Sequence, residues 1–333
     1  MRALSDDHEA RSQFRSARRA VREAWRGSMV DAETLASLPV TASVRAAGPS
    51  TGSQPQHALE DAVGRRYLFK LAPSEQIAAE VFAGRVRALG RQLQVPAVRR
   101  TLLLDGTPRV GLLQPRVDIA GALPKDPRQW TAVQCESILR DHPWEWIVGN
   151  LDTHIDQYVL VGDHGLPINI DWDRSLLDLD GAAPTRFDRR SATILPAHNH
   201  LYAEYVGGRI ELDFFGMRRE AHRIAAIPFG QILDLVDAWA AEAQAATELR
   251  RHVTERLRQR HGSIARAFDD FVDGLERERD QVRHTTRPLG DRVLSGLRDA
   301  WQRLVLLVVH DRIVRPALRV RRWVVRRFAD ARP

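Results

Sequence analysis

Cysteine occurs once in these 333 residues, at Cys135, and lysine only twice, at Lys70 and Lys125, among fifty basic residues. A single cysteine excludes a disulfide framework and a cysteine-based zinc site. Long apolar runs are missing too. The longest purely aliphatic one, Leu304 to Val309, falls far short of the roughly 18 residues a membrane span needs. Met1 to Phe14 has no stretch of secretory-signal character, so a cytoplasmic location is expected. With 44% hydrophobic residues the chain can bury one large core or two moderate ones.

Acidic balance is lacking in one place only. The net charge of +7 belongs to residues 291–333, where eleven Arg face Asp291, Asp299, Asp311 and Asp330, and residues 1–290 sum to zero. That tail, "RDAWQRLVLLVVHDRIVRPALRVRRWVVRRF", reads as a helix restarted at Pro316. It sets Arg315, Arg319, Arg322 and Arg326 against Leu318, Trp323, Val324 and Phe328. Such a face suits an anionic membrane surface, making the protein peripheral to it, or packing with a solvated basic side; nucleic acid comes third. At the other end "EARSQFRSARRAVREAWRG" is a milder basic helix expected to pair with the tail.

Since arginine is otherwise the rule, Lys70 needs a reason. "HALEDAVGRRYLFKLAP" reads as two strands turning near Gly64, with Lys70 on the face of Leu68. A charge on an apolar sheet face requires a partner or ligand. Glu80 offers one, on a helix over "SEQIAAEVFAGRVRALG" with Ser74 as N-cap and Gly90 at its end. Upstream, "AAGPSTGSQPQ" is a loop of a kind that approaches phosphates closely. Downstream, "VRRTLLLDGTPRVGLLQPRVD" is a hairpin turning at Asp105-Gly106 and running out into Gln114-Pro115.

A helix over "PRQWTAVQCESILRDHPWEWIVGN" then leads to "LDTHIDQYVLVGDHGLPINIDWD". Here "QYVLV" and "PINID" form a hairpin around Asp163-His164-Gly165, whose paired ends bring Asp152 and Gln157 within reach of Asp171. A base, an amide and a carboxylate so placed are the parts that position a hydroxyl and hold Mg²⁺ on phosphates. A dinuclear metallophosphatase, suggested by "DTH" and "GDH", would put a full βαβ unit between them, and only a hairpin fits. His198 and His200, in "SATILPAHNHLY", lack the nearby carboxylates of a zinc site. Residues from Ser175 to Gly216 read as loop, "EAHRIAAIPFGQILDLVDAWAAEA" as helix, and "TELRRHVTERLRQRHGSIARAFDDFVDGLERERDQV" as two amphipathic helices.

"GNLDTHIDQYVL" followed by "INIDWDRSL" resembles the catalytic and metal-binding loops of the phosphatidylinositol 3/4-kinase-like superfamily, including the HipA-like kinases, over roughly residues 40–240. The resemblance implies a two-lobed protein-kinase-like α+β fold with N- and C-terminal helical extensions. It implies an ATP- and Mg²⁺-dependent phosphotransferase acting on an unidentified protein, lipid or small-molecule acceptor, with nucleotidyl transfer also open. Asp152 would be the catalytic aspartate and His154 the loop histidine. Lys70 and Glu80 would orient ATP, Gly52 and Ser53 would cover its phosphates, and Gln114 to Val117 would line the adenine. Gln157 and Asp171 would hold the metal, with Asp173 or Asp156 supplying a further carboxylate. Two departures stand out: Gln157 replaces the family's Asn, and Asp171-Trp172-Asp173 replaces its Asp-Phe-Gly type motif. They leave open an inactive pseudokinase or scaffold, or a binding protein acting through the Arg-rich tail. The expected organisation is a basic helical extension (1–38), an N-lobe (39–118), a C-lobe (119–250) and a helical Arg-rich extension (251–333).

Overall fold

The computed structural model describes residues 2–39, 41–46, 56–150, 152–176, 179 and 196–284. The Gly52-Ser53 loop and the Arg-rich tail, both expected to matter, lie outside these residues.

Two helices, α1 (Arg2–Ser28) and α2 (Ala32–Ser37), precede the first sheet. That sheet is antiparallel and contains β1 (Thr41–Ala46), β2 (Gln56–Glu60), β3 (Arg66–Lys70), β4 (Val98–Leu104) and β5 (Thr107–Pro115), in the order β1-β2-β3-β5-β4. The β4–β5 hairpin turns on Asp105 (φ +52°) and Gly106 (φ +76°), the paired positive angles of a tight two-residue loop. Between β2 and β3, Asp61 accepts bonds from the Val63 and Arg65 amides at 3.0 and 2.9 Å and from the Tyr67 hydroxyl at 2.8 Å. One face of the sheet buries Tyr67, Phe69, Leu59 and Leu113 with Val30 and Leu35.

Helix α3 (Ser74–Leu89) crosses from this sheet to the second lobe. Its Ile77 and Val81 pack on Leu112 of β5, while Ala78, Phe82, Ala83 and Val86 enter the large second core. Ser74 is not the N-cap: Pro73 holds that place in extended conformation with no side-chain cap bond, and Ser74 is the first helical residue. Since the Pro73 backbone carbonyl already accepts from Gln76 and Ile77, the turn closes without a side-chain cap.

The second lobe is mainly helical. Helix α4 (Ala132–Val148) starts in a capping box: the Thr131 hydroxyl accepts from the Gln134 amide at 3.3 Å, and the Gln134 side-chain oxygen accepts from the Thr131 amide at 2.9 Å. It ends at Gly149, φ +68°, a left-handed position where an added Cβ would also meet Leu179 at 2.9 Å. Strands β6 (Gly121–Ala122), β7 (Tyr158–Val161) and β8 (Leu166–Asn169) form a small antiparallel sheet, and α5 (Ala197–Val206), α6 (Phe215–Ala225), α7 (Phe229–Ala243) and α8 (Thr247–His284) complete the lobe.

Three differences from the sequence reading have physical causes. The stretch read as loop from Ser175 contains α5, because Pro196 sits at the N-cap, where the lost N–H costs nothing, and Ala197, Leu201, Tyr202 and Tyr205 are buried. The single helix read over residues 220–243 is two, broken before Pro228, whose ring disfavours a helical Ile227. The two helices read after Thr247 are one of 38 residues: Gly262 and Gly274 are tolerated because Val253, Leu257, Ile264, Phe268, Val272 and Leu275 keep one face in the core. Its described part packs into the lobe's core. Helix α1 packs Phe14, Ala17 and Val21 against Val133 of α4 and the β7–β8 hairpin. The result is a two-lobed α+β fold, a five-stranded antiparallel sheet joined through α3 to a mainly helical lobe with a small three-stranded sheet.

Candidate active site

Lys70 ends β3, and its register is fixed by pairing with Gln56 on one side and Leu112 on the other. Gly111 lets β5 come this close: an added Cβ would lie 2.5 Å from the Phe69 ring and 2.6 Å from the Lys70 carbonyl oxygen. The Lys70 ammonium lies 3.4 Å from Glu80 Oε1 and donates to the Ile170 carbonyl at 3.3 Å. It thus joins the first sheet, α3 and the acidic segment at one point. Burial opposes the charge on Lys70, but Glu80 and then Asp171 outweigh it and hold the ammonium above its ordinary range. Glu80 is pushed up to about 7 by burial, against Lys70, with Asp171 and Asp173 adding to the rise. Asp173 is pushed up to about 6, by burial first and then by the Asp171 charge. One ammonium therefore faces three carboxyl groups.

The β7–β8 hairpin sets Gln157 beside the start of the second acidic group. Tyr158 pairs with Asn169, and the Ile170 amide donates to the Gln157 carbonyl at 3.1 Å, so Asp171 follows directly beyond the pair. Asn169 Oδ1 accepts the Asp171 amide at 3.0 Å, and Asn150 donates to the Asp171 carbonyl at 3.4 Å. Asp152 lies 3.5 Å from Arg174 and, through Asp173, belongs to the same electrostatic cluster. His154 is half-buried and makes no capping bond to the short turn it precedes. Asp156 is exposed. Gln114 is buried on β5 opposite Leu68, and Val117 is half-buried beyond the strand against the α1 and hairpin core.

Several buried polar atoms around the cluster have no hydrogen-bond partner: Gln157 Oε1, Asn150 Oδ1 and Asn169 Nδ2. Buried polar groups are nearly always satisfied, so these atoms are left able to bond an outside ligand. Among the described residues no three His, Cys, Asp or Glu side chains stand close enough to hold a metal alone. Mg²⁺ on a nucleotide needs less, since it keeps several waters and takes one or two carboxylates plus phosphate oxygens. Asp171, Asp173 and the Gln157 amide oxygen fit that hard-oxygen set.

The supporting shell was not read from the sequence. Glu145 of α4, 1% exposed, accepts from the Tyr158 hydroxyl, from Thr153 Oγ1 at 3.2 Å and from His198 Nδ1 at 2.9 Å. Thr153 lies between Asp152 and His154, so Glu145 fixes the loop that carries them. His198 stacks on His142 at 3.7 Å, and burial followed by the neighbouring His198 pushes His142 well below its usual range. A second support runs through Arg87 of α3, which pairs with Asp141 at 3.1 Å and lies 4.2 Å over the Trp172 ring. Trp172 is 6% exposed and fills the place between α3 and α4. The available signal was in "RDHPWEW": charges inside a stretch apolar enough to be buried.

No protein-family profile and no curated protein sequence matches the chain. Among solved structures it is similar to a Helicobacter pylori proinflammatory kinase, CtkA, with 9% identity, a TM-score of 0.47, and coverage of 74% of this chain and 99% of that one. It is also similar to HipA in a Shewanella oneidensis toxin–antitoxin complex with HipB and operator DNA (12% identity, TM-score 0.37, 79% and 72% covered). A third is a MAP kinase of Leishmania major, LmaMPK10 (12%, 0.29, 78% and 89%). At these identities and scores the likeness assigns no activity.

Proposed function

We propose that the chain is an ATP- and Mg²⁺-dependent phosphotransferase. The observation that carries this reading is Lys70, a buried ammonium shared by Glu80, the Ile170 carbonyl and the Asp171 charge, with more carboxylate around it than it neutralises. A divalent cation on nucleotide phosphates is the ligand that balances such a cluster.

In this reading Lys70, steadied by Glu80, contacts the phosphates, and Gln114 to Val117 line the adenine. Gly52 and Ser53, expected to cover the phosphates, lie outside the described residues. Asp171 and Gln157, with Asp173, would hold Mg²⁺, which would offset the charge on the phosphates. Asp152 orients the acceptor hydroxyl and takes its proton as that oxygen bonds to the γ-phosphorus and the bond from phosphorus to the departing ADP breaks. Arg174 and Thr153 position Asp152, and His154 steadies the loop. The acceptor, a protein, lipid or small molecule, is chosen by surfaces these residues do not include.

Calorimetric titration with ATP, with and without Mg²⁺, tests the reading. Wild type should bind in a metal-dependent way, and Lys70→Ala and Asp171→Asn should each bind at least about tenfold more weakly, as expected for a lost charged contact. Wild type that binds no nucleotide under any metal overturns it. Tight binding without turnover points instead to a nucleotide-binding scaffold.

A further inference from the structure

A second concave site lies away from the acidic cluster, between α1 and α6. It is a groove of about 800 Å³ to which α1 contributes Arg11, Arg15, Arg18, Arg19, Arg22 and Arg26. Arg219 and Arg223 of α6 form the opposite wall, and Arg140 of α4 reaches the groove beside Phe14. Against nine arginines the lining holds only Glu23 and Glu220.

Glu220 is already committed. It accepts from Gln92 at 2.7 Å and from Trp144 at 3.3 Å, and pairs with Arg140 at 3.1 Å and Arg223 at 3.3 Å. Arg18 and Arg22 both donate to the Arg91 carbonyl, at 3.0 and 2.6 Å, which brings two cations to one neutral acceptor. Arg15, Arg19, Arg26 and Arg219 have no carboxylate partner among the described residues. Arginine at positions 11, 15, 19 and at 18, 22, 26 stacks like charges four residues apart, a spacing that destabilises a helix left to itself. Burial, then Arg22, lowers Arg18 to about 10.

Because the whole chain prefers arginine to lysine, the residue type says little here. The placement says more: these cations line a cleft with two walls instead of a convex solvated face. From Arg11 to Arg26 the helix advances roughly 22 Å, longer than one phosphate and matched to several in series. Guanidinium groups recognise phosphoryl oxygens through paired hydrogen bonds.

We propose that the groove between α1 and α6 binds a compact polyphosphorylated anion, one carrying three or more phosphoryl groups. The site is separate from the nucleotide cluster and does not depend on the phosphotransferase reading.

Inorganic tripolyphosphate and inositol hexakisphosphate are the probes, titrated calorimetrically into the full chain at low and moderate salt. Wild type should bind both, more weakly as salt rises. The triple variant Arg15→Ala/Arg19→Ala/Arg219→Ala removes three exposed side chains without carboxylate partners and should keep its melting temperature. It should bind at least about tenfold more weakly, since several charged hydrogen bonds are lost. Lys70→Ala should bind these probes as wild type does, which separates this site from the nucleotide cluster. Cosedimentation with phosphoinositide vesicles identifies a lipid headgroup as the source, and soluble binding without it a free anion; both keep the phosphate chemistry. No binding by wild type, undiminished binding by the triple variant, or loss of binding in Lys70→Ala overturns the proposal. So does duplex DNA that binds through these arginines and is not displaced by tripolyphosphate.

Discussion

Asp173, among the residues of the acidic cluster, offers the sharpest test by pH. Its carboxyl is raised to about 6, by burial and then by Asp171, so it holds a proton below that pH. A metal-bound carboxylate must give the proton up, and affinity for Mg²⁺ and nucleotide should therefore fall as pH drops below 6. Asp173→Asn should flatten this part of the pH profile while lowering affinity at pH 7, measured by calorimetry from pH 5.5 to 8. Asp141 makes a separate case. Burial raises it to about 6, with Arg87 opposing, and its partner Arg87 is almost wholly enclosed. Arg87→Met leaves the carboxyl buried without a partner and should cost about 3 kcal/mol in denaturant unfolding; adding Asp141→Leu should recover most of that loss. Because the folded value of Asp141 exceeds the unfolded one, the native state keeps a proton the unfolded chain releases between about pH 4 and 6. Stability from this group is thus full below pH 4 and declines as pH rises to 6. At this scale the sequence was legible where a residue was out of character: one lysine in an arginine chain, or carboxylates flanking apolar strands. Glu145, Arg87 and His198 were not, because their partners lie 8 to 54 residues away along the chain and meet only after α3, α4 and α5 pack.

Among the elements, β5 controls the position of Lys70 through the space at Gly111. Gly111→Ala forces a methyl against the Phe69 ring and the Lys70 carbonyl and should cost about 1–3 kcal/mol by overpacking, lowering the melting temperature. ATP affinity should fall with it, because the same shift displaces Lys70. Element boundaries were readable wherever local chemistry sets them. Asp105-Gly106 and Gly90 turn or end their elements at the marked residues. They were misread where tertiary packing decides. The 38-residue α8 passes through two glycines because its apolar face is buried, and α5 begins at a proline that looked like a loop residue. The capping box of Thr131 and Gln134 was present in the sequence as a pattern and fixes the start of α4, whose far end delivers Asp152.

For the whole molecule, α3 ties the lobes together and α1 closes the second. Helix α3 contributes Ile77 and Val81 to the sheet side and Phe82 and Val86 to the large core, and α1 seals α4 against the β7–β8 hairpin. Continuous burial of this kind predicts one cooperative unfolding transition. Tryptophan fluorescence, which reports Trp144, Trp146, Trp172 and Trp239 in the large core, should coincide with far-ultraviolet circular dichroism through urea unfolding; two separated transitions would mean independent lobes. The same construction places Lys70 and Glu80 from one lobe against Asp171 and Asp173 from the other, with Asp152 beside Asp173, and the functional reading depends on this junction. The most direct test is ADP formation by the full chain supplied with Mg²⁺ and ATP, comparing wild type with Asp152→Ala. Wild type should release ADP in a metal-dependent way, and the variant at a rate at least about 100-fold lower with ATP binding retained, as loss of a proton acceptor requires. Equal rates in the two proteins would rule out phosphotransfer through Asp152.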